Sequence, residues 1–120
     1  MQRVDANEFK SRTKSFGLRV VSLVEALPKI RTSDVIGKQL LRCGTSVRAN
    51  YRAACRAKSQ ADFIAKMKNV EEECDESVYW IELLVESGQV KEHLVTDLLK
   101  ESGEILAMVV ASLKTARSRQ

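Results

Sequence analysis

Residues 33–58 read SDVIGKQLLRCGTSVRANYRAACRAK. Ile36, Leu40, Cys43, Val47, Tyr51 and Ala54 recur there at steps of three and four, the spacing that stacks side chains on one face of a helix. At about 100° per residue, with Lys38 set at zero, Ile36, Leu40, Val47 and Ala54 fall within about 20° of 180°. Lys38, Arg42, Arg48, Arg52 and Arg56 fall on the opposite side, between about −80° and +40°. The segment is therefore an amphipathic helix with a core face and a basic face. Ser33 and Asp34 are good N-caps, which places its expected span at 34–57.

The same rhythm extends outward on both sides. Before it, Phe9, Thr13, Phe16, Val20, Leu23 and Leu27 mark a helix over 6–27, and Pro28 stops the run. After it, Ser59-Gln-Ala-Asp62 resembles a capping box with the acid in place of the usual Glu or Gln. It leads into Phe63, Met67, Val70, Cys74, Ile81 and Leu84, a helix over 60–87 that Gly88 is placed to end in the left-handed conformation. A fourth helix over 91–116 uses Leu94, Leu98, Ile105, Val109 and Leu113. Nothing reads as a strand. Four helices of this length with short connections predict an all-α fold, an up-down antiparallel four-helix bundle in a single domain over 1–120.

Composition excludes several classes of protein. The 120 residues are 44% hydrophobic, enough for one core. The longest uncharged run, 105–113, is far below the roughly 20 apolar residues that span a bilayer. The mixed-charge start, MQRVDANEFK, lacks the apolar stretch of a signal peptide, so a cytoplasmic location and no membrane partner are expected. Cys43, Cys55 and Cys74 are odd in number and widely spaced, and His93 is the single histidine. They offer no zinc-ligand spacing and read as small reduced core thiols.

Glu72 and Glu76 share a face, yet the Glu-x-x-His element of di-iron bundles is missing. Gly37-Lys-Gln and Gly44-Thr-Ser do not make a phosphate-cradling loop, and Ser46 has no histidine base. Gly44, Thr45 and Ser46 read instead as a place where a neighbouring helix approaches closely. No catalytic residue, cofactor or metal is expected, and the chain reads as a non-enzyme.

The net charge of +4 conceals a segregation. Residues 1–58 carry +9, residues 59–107 carry −8 and residues 108–120 carry +3. Between Lys38 and Lys58 there is no acid at all, whereas a solvated helix face usually interleaves signs. Five cations along about 27 Å of helix can track a phosphate backbone, with salt-dependent affinity. They read equally as a solvated face. Lys10, Arg12, Lys14, Arg19, Lys29 and Arg31 add to the positive side, and Lys114, Arg117 and Arg119 extend it if the tail folds nearby. The acidic third helix carries Glu72, Glu76, Tyr79 and Trp80, which are candidates for an oligomer interface in which acidic and basic stripes meet. Trp80 is the candidate anchor. Two readings thus compete: binding of RNA or DNA through Lys38, Arg42, Arg48, Arg52 and Arg56, and self-assembly or a protein partner through the charged helices.

Taken together, VIGKQLLRCGTSVRANYRAACRAKS (35–59), ADFIAKMK (61–68) and EECDESVYWIELL (72–84) strongly resemble the bacterial four-helix-bundle proteins of the S23 type, encoded in intervening sequences of 23S ribosomal RNA genes. The resemblance covers roughly residues 9–116. It implies a four-helix bundle assembled into a ring, typically a homopentamer, without enzymatic activity. It also implies kinship with the accessory variability protein of diversity-generating retroelements, a basic ring that contacts nucleic acid and a reverse transcriptase. The word ribosomal in the family name refers to gene location. Where members of the family commonly carry Glu after the Ala-Asn-Tyr-x stretch, this chain has Ala53, so no role of that carboxylate transfers.

Overall fold

A computed structural model describes residues 5–119. Four helices follow one another as α1 (Ala6–Glu25), α2 (Arg31–Cys55), α3 (Gln60–Glu86) and α4 (Thr96–Ser118), with a single 3-10 turn at Glu92–Leu94 between the last two. Each helix packs on its chain neighbours, and α4 closes the bundle against α1. The result is an antiparallel four-helix bundle measuring 48 × 24 × 20 Å. Among the described residues no helix is long and apolar enough to cross a membrane.

The helix ends follow local chemistry. The Asp5 carboxylate accepts from the Asn7 N–H at 2.8 Å and opens α1. Ser59 caps α3 by accepting from the Asp62 N–H at 3.0 Å. Asp62 reaches back to accept from the Lys58 N–H at 3.0 Å, the reciprocal half of a capping box displaced by one residue. The Lys66 ammonium at 2.6 Å, aided by that N–H, holds the Asp62 carboxyl below its ordinary value. At the far end of α3, Gln89 N–H donates to Leu84 O and Gly88 N–H to Val85 O, a Schellman motif with Gly88 at φ 78°.

The helix ends fall within two residues of the sequence expectation, but two helix starts differ by more. Helix α2 starts three residues earlier, at Arg31, with extended Ile30 as its N-cap. Ser33 is a buried residue inside the first turn, and its hydroxyl donates to Gln89 Oε1 at 2.9 Å, tying α2 to the α3–α4 connection. Helix α4 starts five residues later, because the 3-10 turn breaks the register. Val95 is buried and Leu94, expected in the core, is 65% exposed.

The core is the apolar stripe of each helix: Phe9, Phe16 and Val20 from α1, Leu40 and Val47 from α2, Met67, Ile81 and Leu84 from α3, Ile105 and Val109 from α4, all fully buried. Each such aliphatic or aromatic side chain contributes about 1.5–3 kcal/mol on burial. Phe9 stacks on Tyr51 with centroids 4.1 Å apart. Gly44 makes the α1–α2 crossing possible. A Cβ there would stand 2.7 Å from Val20 Cγ1, so the close approach expected from the sequence is real. Buried hydroxyls are satisfied locally, as where Thr13 donates to Phe9 O at 3.0 Å and Ser102 to Leu98 O at 2.9 Å.

Candidate nucleic-acid interface

The five cations of α2 do not form one uniform stripe. All five are exposed. Arg42, however, is drawn sideways onto α3, where its Nη1 lies 3.4 Å from Glu73 Oε2 and its Nη2 pairs with Glu76. It also donates to Gln39 Oε1 within the helix. Its charge is paired inside the chain, unlike those of Lys38, Arg48, Arg52 and Arg56 among the described residues. Lys38 stands ten residues, about 15 Å, before Arg48, at the other end of the bundle. Arg48, Arg52 and Arg56 have no ion-pair partner among the described residues.

Antiparallel topology then adds cations from other helices. The C-terminal half of α2 lies beside the N-terminal half of α1. A groove of about 490 Å³ between them is walled by Arg48, Arg52 and Arg56 on one side and Lys10 and Lys14 on the other. Thr13, Tyr51 and Cys55 also line it, and no carboxylate does. Around the end of the bundle a second opening brings Lys58 and Arg119 next to Lys10. Arg119 arrives there because α4 runs on to Ser118 and is pinned by Gln60 Nε2 donating to Ala116 O at 2.8 Å. The tail thus folds near the patch, as the sequence allowed. Lys114 and Arg117 are exposed on α4 but do not line this opening.

On the other side of α2 a shallow depression of about 440 Å³ is lined by Ala49, Arg52, Ala53, Arg56 and Lys66. Ala53 is the position where the resemblance leads one to expect Glu. With alanine there, Arg52 and Arg56 have no carboxylate beside them on either flank of the helix. Of the further bases on α1, Arg12 is not available. Its Nε donates to Glu101 Oε1 at 2.7 Å and its Nη2 to Glu104 Oε2 at 2.7 Å, a clamp from α1 to α4 that holds the guanidinium firmly protonated.

Of the titratable groups lining the groove, the Cys55 thiol is exposed and Tyr51 is buried. Burial, with the neighbouring Cys55 second, pushes the Tyr51 hydroxyl well above its ordinary range, so it stays neutral. Cys43 and Cys74 are buried between helices as expected, whereas Cys55, also expected in the core, is exposed at the end of α2. Burial raises the thiols of Cys43 and Cys74, that of Cys74 to about 12. Ser77 sits 3.3 Å from Cys43 Sγ but donates its hydroxyl to Glu73 O at 2.8 Å. Among the described residues no group of three or more His, Cys, Asp or Glu side chains converges as a metal site.

The residues expected at an oligomer interface fall into two groups. Glu76 and Trp80 are engaged within the chain: Glu76 accepts from Arg42 and also from Trp80 Nε1, at 2.9 Å, and Trp80 is half-buried. Glu72 and Tyr79 face solvent. Tyr79 is 56% exposed and meets Trp80 edge-on, with centroids 4.8 Å apart. The gathering of charge at one end of the bundle was not legible in the sequence, since it depends on which helix halves lie side by side.

Known proteins provide a frame for this geometry. A crystal structure of a protein with unknown function from the S23 ribosomal protein family of Bacteroides thetaiotaomicron superposes with a TM-score of 0.86 at 34% identity, covering 91% of this chain and 97% of that one. No curated protein is similar at a significant level. The family model described as 23S rRNA-intervening sequence protein matches residues 6–111, which spans all four helices apart from the last turns of α4. With that match and the 34% identical neighbour together, the chain belongs to the 23S rRNA-intervening sequence protein family.

Proposed function

We propose that this protein is a non-enzymatic, oligomeric bundle that binds the backbone of RNA or DNA through the α1–α2 groove. The observation that carries this reading is the set of five cations, Lys10, Lys14, Arg48, Arg52 and Arg56, around a groove without a carboxylate. Charges left unpaired on both walls of one groove gain by replacing the counterions of a phosphate chain. Contacts of this kind position a backbone and do not read bases, so sequence preference is weak. Tyr51 is buried against Phe9, which leaves no aromatic platform in the groove for base stacking.

Fluorescence anisotropy with a labelled RNA oligonucleotide and its DNA counterpart tests the reading. Binding is expected to weaken by orders of magnitude between about 50 and about 200 mM salt, in proportion to the phosphates contacted. Absence of binding at the low-salt end overturns it.

A second reading, a structural ring or adaptor, is favoured by the outer face of α3. There Tyr79 stands exposed beside Glu72, Asp75 and Glu82, which have no ion-pair partner among the described residues. An aromatic ringed by carboxylates suits an interface with a basic surface, whether of a second copy or of a protein partner. Light scattering on Tyr79→Ser reports on it. An unchanged mass removes Tyr79 from any self-assembly interface.

A further inference from the structure

A wide opening lies away from the α1–α2 groove. It is a trough of about 1100 Å³ between the outer side of α1 and the turn that precedes α4. The 3-10 turn creates it: by delaying the start of α4 it holds Leu94 out from the core, facing Leu18 of α1 across the opening. These two side chains are 65% and 57% exposed, the first of them the most exposed large apolar residue described. Leu23, Leu27 and Leu98 complete an apolar floor. Along α1 the trough runs from Ser11 to Ala26, about 22 Å at 1.5 Å per residue, the length of a helix of about 15 residues. Ser11, Ser15 and Ser22 keep that side of α1 low, so another helix axis can come close.

The rim has one sign. Lys14, Arg19 and Lys91 border the trough together with His93, and no carboxylate lines it. We infer that the trough is a docking site for an amphipathic helix of a partner protein, one that presents three successive turns of apolar side chains flanked by Glu or Asp. Apolar area supplies the affinity, and the cationic rim selects and orients the helix. A nucleic acid does not suit a floor of leucines. A second copy does not suit it either. The row that α4 offers, Leu99, Leu106 and Val110, is bordered on its solvent side by Lys100 and Lys114, the same sign as the rim, and the other exposed large apolar residues, Ile30, Val35 and Tyr79, sit singly or at a helix start.

The probe is a synthetic helical peptide of about 15 residues, with leucines on one face and glutamates on its flanks, alongside a counterpart with lysines in place of the glutamates. Anisotropy should show the acidic peptide bound, and Leu18→Glu or Leu94→Ser should weaken it by at least about tenfold. Arg56→Glu, at the far end of the bundle, should change it less than about twofold. Leu18 and Leu94 are exposed, so both variants fold, as circular dichroism will report. Equal binding of the lysine peptide, or a loss with Arg56→Glu as large as with Leu18→Glu, overturns the inference. A fall in the protein's own mass on Leu18→Glu also overturns it, because the occupant is then a second copy.

Discussion

Arg42 of α2 and Glu76 of α3 form an ion pair across the helix seam, and Glu76 accepts at the same time from Trp80 Nε1. One contact therefore withdraws a cation from the basic face and a carboxylate from the acidic face. Opposite charges brought together inside one chain are no longer on offer to a partner.

Arg42→Ala is accordingly expected to leave nucleic-acid affinity within about twofold and to lower stability by no more than about 1 kcal/mol, since the guanidinium is half exposed and its pairing is solvent-screened. Arg48→Ala and Arg52→Ala should behave in the opposite way. Each is expected to reduce the slope of log K against log salt by about one while leaving thermal unfolding unchanged. Salt titrations of the three variants, with melts run in parallel, separate the two groups. A loss with Arg42→Ala equal to that with Arg48→Ala contradicts the division.

Ala53→Glu puts back the carboxylate that the family resemblance leads one to expect. Position 53 lies in the depression bordered by Arg52, Arg56 and Lys66, so the new side chain has cations within reach. It should neutralise part of the free patch, weaken RNA or DNA binding several-fold and lower the salt slope by about one. The melting temperature should hold or rise slightly, because an exposed pair contributes about 0–1 kcal/mol. Unchanged affinity would mean that Arg52 and Arg56 make no phosphate contact.

Three glycines give three different answers. Gly44→Ala forces a Cβ to 2.7 Å from Val20 Cγ1 and should cost about 1–3 kcal/mol through displacement of α1. Gly88→Ala meets no atom within 4 Å, but its φ of 78° strains any residue with a side chain, and a loss of about 1 kcal/mol is expected. Gly103 lies inside α4 with nothing within 4 Å, so Gly103→Ala should stabilise by about 0.5–1 kcal/mol through helix propensity alone. Chemical denaturation distinguishes them; a destabilising Gly103→Ala would show that the site is not open.

Core positions such as Phe16, Leu40 and Val109 were legible from the sequence because helical periodicity alone decides which face is apolar. Gly88 was legible as well, since a left-handed stop has few solutions. The start of α4 was not. Leu94 continues the apolar rhythm, yet the 3-10 turn rotates it outward and seats Val95 in its place. The ion pairs of Arg42 and Arg12 were also hidden, because cross-helix pairing depends on the relative rotation of two helices rather than on either sequence. For the same reason the basic residues read as helix stripes, whereas antiparallel packing regroups Lys10 and Lys14 with Arg48 to Arg56 at one end of the bundle.

Glu73 provides the pH dependence. Burial raises its carboxyl above the ordinary value, and the Arg42 guanidinium offsets this only in part. A raised carboxyl means that the folded state binds its proton more readily than the unfolded state. Its contribution therefore favours folding as pH falls through the interval between the unfolded and folded values, and the ionised form is a cost above that interval. Glu73→Gln keeps an acceptor for Arg42 without the buried charge. At pH 7 the variant is expected to be more stable than the parent by up to about 1 kcal/mol, an advantage that fades below about pH 4, where the native glutamate is neutral too. Urea unfolding at the two pH values measures the difference. A less stable Gln variant at pH 7 would show that the Arg42 ion pair outweighs the burial of Glu73.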